Sequence, residues 1–233
     1  WRDHNDLKET RPLIYIDLEN GWNELLPQEF TCQCEGEMAQ EWEMWLHKEL
    51  IYAEKIKCDK PLEAKFYIPF MAHDSEWGIE KKVIGDAAHG EAYTWESPIT
   101  DEMMEEDVDM STLIKTPVIT VDWEATNAFT AIAHDVFDGI LTVERRNWWW
   151  WGMELTHPYV DLRGFENMLV DFYDYPEKMH EILDLFTRGY EAKLDYLEQN
   201  HLLTPNTGNC YVGSGGLGLT GDLNPEAAVP NTT

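Results

Sequence analysis

Near its carboxyl end the chain reads Leu202-Leu203-Thr204-Pro205-Asn206-Thr207-Gly208-Asn209-Cys210-Tyr211-Val212-Gly213-Ser214-Gly215-Gly216-Leu217-Gly218. A short apolar strand, 207–212, runs into a glycine-rich loop that carries one hydroxyl, Ser214. Glycines let backbone N–H groups approach a ligand closely. A loop at the carboxyl end of a strand is where α/β enzymes place their chemistry. Gly213-x-Gly215-x-x-Gly218 matches the dinucleotide-binding string. The residues after it, Leu219-Thr220-Gly221-Asp222-Leu223-Asn224-Pro225, do not read as a helix, so no positive helix end is on hand for a pyrophosphate. Asp17 and Glu19 close another apolar run, 12–18, and strand alternation puts both on one side as acid, base or cation-binding groups. Their plain alternative is solvation, or capping of a neighbouring helix. Asp74 at the exit of the next strand is open to the same two readings. His157, just before Pro158, is either a loop histidine or a catalyst. Arg145 and Arg146 either bind an acidic group or, in so acidic a chain, form salt bridges. Four consecutive indoles, 148–151, cannot all enter one core. Some line a cleft or interface, or else they cap the end of a barrel.

These residues hang on alternating strands and helices. Residues 37–56 form a helix in which Met38, Trp42, Trp45, Leu46, Leu50, Ala53 and Ile56 recur at steps of mostly three and four. A strand follows at 65–71 and a shorter one at 81–84. The acidic run 101–109 is an exposed insertion or a helix start. Residues 125–138 form a helix ended by Gly139, and 140–143 a third strand. A helix at 164–173 precedes a long one that opens on Pro176 and Glu177 and runs to about Asn200. Its stripe is Met179, Leu183, Phe186, Tyr190, Leu194 and Leu197. No repeat and no Ser- or Gly-rich linker interrupts the pattern, so 1–233 reads as one α/β domain with parallel strands.

Composition narrows the partners. In 233 residues, 45 acidic side chains face 17 basic ones, for a net charge of −28. Such a surface repels nucleic acid and anionic lipid. No run of eighteen apolar residues exists to span a membrane. Cys32, Cys34, Cys58 and Cys210 are too few for a disulfide framework and read as reduced thiols of a cytoplasmic protein. Cys32-x-Cys34 is tighter than zinc-finger spacing, and no HxxxH pair occurs, so no metal site is expected from this chain alone. No GxSxG, HExxH, Walker-type loop or paired CxxC is present, and the catalytic residue is not identified.

Several segments carry a family likeness. Arg163-Gly164-Phe165-Glu166, Tyr175-Pro176-Glu177-Lys178-Met179-His180, Leu197-Glu198, Leu202-Leu203, Asn206 and Val212-Gly213-Ser214-Gly215-Gly216 resemble the uroporphyrinogen decarboxylase-like superfamily. So do Arg11-Pro12-Leu13-Ile14-Tyr15-Ile16-Asp17, Gly21-Trp22, Glu24-Leu25-Leu26-Pro27, Trp42-Glu43 and Ser75-Glu76-Trp77-Gly78. The nearest likeness is to a divergent bacterial branch that includes corrinoid-linked methyltransferase relatives. The resemblance implies a (β/α)8 TIM-type barrel with its site at the carboxyl ends of the strands. It also implies that this chain is the amino-terminal part, with the last strands absent. Zinc and a corrinoid carrier protein are implied for the full-length protein, the zinc held by His and Cys of the absent part. Ser214 takes the place of a substrate-contacting serine. Where true decarboxylases carry an Arg-rich loop after the first strand, this chain has Asp17-Leu18-Glu19-Asn20-Gly21-Trp22, which would repel a polycarboxylate. The expected function is methyl transfer between a corrinoid carrier and a small molecule. The alternatives are porphyrinogen decarboxylation and a barrel that only binds ligand. Together the loops and the resemblance nominate Asp17, Glu19, Asp74, Trp150, His157, Asn206, Tyr211 and Ser214 as substrate-binding residues.

Overall fold

A computed structural model describes residues 1–18, 21–26, 31–85, 93–106, 108–149, 153–204, 208–209, 211–212 and 216–221. In chain order the elements are α1 (Arg2–Asn5), α2 (Trp22–Leu25), α3 (Glu37–Ile51), β1 (Lys65–Ile68), β2 (Ala72–Asp74), β3 (Lys82–Gly85) and β4 (Tyr93–Glu96). Then come α4 (Asp101–Glu105), β5 (Ile119–Val121), α5 (Trp123–Phe137), β6 (Thr142–Arg145), α6 (Thr156–Arg163), α7 (Phe165–Asp174), α8 (Pro176–Gln199), β7 (Tyr211–Val212) and β8 (Gly216–Leu217). The fold is mixed α/β. The described residues divide into two compact units, one built from Trp1–Ala64 with the segment after 204, the other from Lys65–Thr204.

In the first unit, α3 changes pitch at its end into a π-helical turn, Tyr52–Ile56, which closes on Lys57 at φ 53°. The expected strand at 12–18 does not form. Ile14 donates its N–H to the Asp59 carboxylate (2.8 Å) and accepts from the Asp59 N–H (2.6 Å) instead of joining a ladder. The same carboxylate takes Arg11, whose hydrogen bond holds Asp59 down to about 2. The alternation argument for Asp17 and Glu19 therefore lapses. At the other end of this unit, β7 and β8 pair antiparallel, and Asn5 donates to the carbonyls of Leu217 and Leu219 (2.9 and 2.8 Å).

In the second unit, β1 and β6 run parallel, from Lys65 opposite Thr142 to Ile68 opposite Arg145. Alternation sends Phe66 and Ile68 inward, and Phe66 meets Phe137 of α5 with ring centroids 4.1 Å apart. Asp122 caps α5 by accepting from the Ala125 N–H, and Gly139, at φ 75°, follows its end. The pairs β2–β5 and β3–β4 are antiparallel. Among the described pairs only β1–β6 is thus parallel, which corrects the expectation of parallel strands throughout. Short links explain β3–β4 and β7–β8, because two strands joined by a few residues can only fold back on each other, whereas β2 and β5 are separated by β3, β4 and α4.

Helix α8 opens with Pro176 at its first turn and buries Met179, Ile182, Phe186, Gly189, Lys193 and Leu197. Its stripe is rotated by one residue from the expected one at three points, with Ile182, Gly189 and Lys193 buried in place of Leu183, Tyr190 and Leu194. At Gly189 the Trp77 indole crosses so closely that an added Cβ would lie 2.4 Å from it. At position 193 a lysine is buried because a carboxylate meets it. Met179, Ile182 and Phe186 pack with Trp77, Ile99, Met104, Met110, Ile114, Tyr159, Leu162 and Met168 as the main core. Inside it, Arg163 grips Asp171 through two hydrogen bonds (2.9 and 3.0 Å), and Tyr159 donates to the same carboxylate (2.8 Å). This two-pronged geometry satisfies a carboxylate that is fully shut off from water.

Candidate functional site

Each unit gathers polar chemistry of its own. In the first, the π turn presents Tyr52 inward, with 7% of its surface exposed. Single π turns inside helices recur at functional sites because they re-aim one side chain. Trp22 meets the Tyr52 ring edge-on at 5.3 Å, and the Lys60 ammonium sits 4.1 Å from the ring centroid while paired with Glu49. Tyr15 packs on Tyr211, ring centroids 5.5 Å apart. Burial pushes the Tyr15 phenol well up, and Tyr52, Asp17, Tyr211 and Cys58 push it further. Tyr52 is raised by burial and by Asp17, and a backbone hydrogen bond with Leu18 acts the other way. Both phenols therefore stay protonated at neutral pH and can donate to a ligand oxygen. Close by, Asn209 donates to the Pro61 carbonyl (2.6 Å), while its buried Oδ1 meets no hydrogen-bond donor among the described residues.

In the second unit, Asp74 closes β2. Its Oδ1 accepts from the Glu76 N–H (2.9 Å), and its Oδ2 lies 2.5 Å from the Lys193 ammonium. That ammonium also stands over the rings of Trp77 (5.6 Å) and Tyr190 (5.9 Å). Tyr190 donates to the Glu154 carbonyl (3.2 Å), and the Glu154 carboxylate lies 3.2 Å from Nδ1 of His157. The other ring nitrogen of His157 is 3.9 Å from Asp161, which pairs with Lys81 at 2.7 Å. His157 lies in the first turn of α6, which corrects its reading as a loop residue. Lys193 already neutralises Asp74, so that carboxylate anchors β2 to α8.

The structure thus brings Asp17 and Tyr211 together around Tyr15, and it links Asp74 to His157 through Lys193, Tyr190 and Glu154. Glu19, Trp150, Asn206 and Ser214 lie outside the described residues. The sequence reading missed Tyr15, Tyr52, Cys58, Lys193 and Asn209 as members of these clusters. Only Tyr52 left a trace, as the aromatic where the helical period of α3 breaks. The salt-bridge reading of Arg145 is also corrected. Its guanidinium donates to Thr130 (2.8 Å) and Asn127 (2.7 Å) and meets no carboxylate among the described residues.

Cys32, Cys34 and Cys58 are free thiols. Burial raises the Cys32 thiol, and a hydrogen bond with Glu43 raises that of Cys34, so both are weak nucleophiles. Among the described residues no three His, Cys, Asp or Glu are placed to hold a metal ion. None of the described helices is long and apolar enough to cross a membrane. No protein-family model, curated protein or solved structure matches the chain.

Proposed function

We propose that this chain is part of a uroporphyrinogen decarboxylase-like (β/α)8 barrel that transfers a methyl group between a corrinoid carrier protein and a small molecule. The barrel reading draws support from the parallel β1–β6 pair, in which α5 leads directly into the second strand. The reaction reading rests on one observation: the electrostatic neighbours of Tyr15 are phenols, a thiol and a carboxylate. Of these the Asp17 carboxylate carries charge at neutral pH and opposes added negative charge, so the site favours a neutral or cationic reactant over a polycarboxylate. In this scheme Tyr15 and Tyr52 donate hydrogen bonds to the bound small molecule, Asp17 orients it, and the packed rings keep water away. Incubating the protein with methylated corrinoid protein and a panel of thiols tests the proposal. Loss of the methyl-corrinoid absorbance, slowed in Tyr15→Phe, is the expected result. An unchanged spectrum with every acceptor would reject it.

A second reading has Arg145 in its favour. A cation whose described hydrogen bonds all go to neutral oxygens is suited to an acidic substrate, as porphyrinogen decarboxylation requires. Release of carbon dioxide from uroporphyrinogen, abolished in Arg145→Gln, would establish that reading in place of the first.

A further inference from the structure

We propose that Cys32 and Cys34 form a two-sulfur binding site for a soft monovalent cation, copper(I). These cysteines are the most closely spaced in the chain. Two residues apart, their Cα atoms stand no more than about 7 Å from each other. The fold then brings both sulfurs to one spot. The Cys32 thiol donates to the Gln40 carbonyl (3.5 Å), and the Cys34 thiol donates to the Glu43 carboxylate. In a helix the carbonyl of residue 40 points along the axis toward the turn that carries residue 43. Both thiols therefore face the same turn of α3, and Cys32 acts electrostatically on the Cys34 thiol. Glu43 holds the loop shut by accepting from the N–H groups of Gln33 (2.7 Å) and Cys34 (2.7 Å). Gln40 donates back to the Cys34 carbonyl (3.1 Å). A loop already fixed in this way lowers the ordering cost of taking up a ligand.

The donors select the metal. Thiolate is a soft ligand and favours copper(I). Zinc takes four ligands in a tetrahedron, and among the described residues no three His, Cys, Asp or Glu are placed to hold a metal ion. A monovalent cation with a filled d shell needs only two donors, in line between two sulfurs. The nearest other groups do not compete for it. Glu43 offers hard oxygens that already accept from the loop, and Nε2 of His47 lies 3.5 Å from that carboxylate. Access is open, because Cys34 is exposed and Cys32 partly so. The third described thiol, Cys58, stands elsewhere, beside Tyr15 and Tyr52. On binding, two S–H bonds break and two sulfur–copper bonds form. Both protons leave to solvent and no electron moves. The resulting complex carries one negative charge beside Glu43, and the Gln33 and Cys34 N–H dipoles offset that repulsion. The site does not depend on the reaction proposed above.

Titrating the full chain, reduced and free of oxygen, with copper(I) held by bicinchoninate tests this. The expected result is transfer of one equivalent from the chelator, with two sulfur neighbours in the X-ray absorption spectrum of the bound copper. Cys32→Ser and Cys34→Ser each keep a hydroxyl to donate to Gln40 or Glu43, so the circular dichroism spectrum should stay unchanged. Either one should weaken copper binding by an order of magnitude or more, and Cys58→Ser should leave it intact. Zinc offered from a chromophoric chelator should stay on the chelator. Copper that remains with bicinchoninate, or that transfers equally well to Cys32→Ser, would overturn the proposal. A copper shell without two sulfurs, or zinc taken up as tightly as copper, would overturn it too.

Discussion

Both units pair carboxylates with cations, Asp59 with Arg11 and Glu49 with Lys60 in the first, but they differ in how other carboxylates are held. In Lys65–Thr204 the carboxylates that leave water meet cations: Asp171 meets Arg163, and Asp74 meets Lys193. In the amino-terminal unit, Glu43 is held by the backbone N–H groups of Cys34 and Gln33, and Asp17 lies among phenols that stay protonated. The first arrangement locks helices to each other and to a strand. The second leaves hydrogen-bond donors that a ligand can use. Polar groups in the second unit therefore read as framework, and those around Tyr15 as site.

Breaking the buried fork is the harshest way to break this contrast. Arg163→Met strands Asp171 in the core and should cost about 3–5 kcal/mol in urea denaturation. Lys193→Met leaves Asp74 without its cation. Asp74 keeps some contact with water, so the loss should be smaller, about 2 kcal/mol. Gly189→Ala drives a methyl group into the Trp77 indole and should cost about 1–3 kcal/mol by overpacking.

In the first unit the same kind of surgery should barely move stability. Asp17→Asn, at an exposed position, should shift it by less than about 0.5 kcal/mol. It should, however, lower the pH at which Tyr15 ionises, because one negative neighbour is gone. Ultraviolet titration of tyrosinate absorbance reads this out, and a large stability loss with no spectral shift would erase the distinction between the units. Acid titration sharpens the comparison once more. Glu43 is held down to about 2, from an ordinary value of 4.5, first by the Cys34 and then by the Gln33 backbone N–H. Its contribution is complete above about pH 4.5 and is lost as the pH falls toward 2. Glu43→Gln should flatten that part of the acid unfolding curve.

Much of the framework was legible. The three- and four-residue steps of α8, its opening Pro176, and the short runs of β1 and β6 marked elements that the structure places where the pattern put them, within a few residues. The run 12–18 had equal strand character and formed no strand. A strand exists only through a neighbour, and Asp59 took the Ile14 hydrogen bonds first. The pairing of β3 with β4 was illegible for the same reason, since a ladder partner is not encoded within either segment. The site was half legible. Asp17, Tyr211, Asp74 and His157 stood out as polar or aromatic residues near chain turns, whereas Tyr15 and Lys193 read as ordinary members of apolar or helical runs.

Periodicity and capping act within a few residues, so local sequence alone determined where the long helices begin and end, and composition alone determined the chain's acidity. Only the tertiary structure decided that Lys193 is buried while Phe172 is exposed. Which face of a helix turns inward depends on what the rest of the chain brings to it. Here Asp74 and Trp77 drew a lysine into the core, and Arg163 drew Asp171 inward and thereby turned the greasy side of α7 out to water.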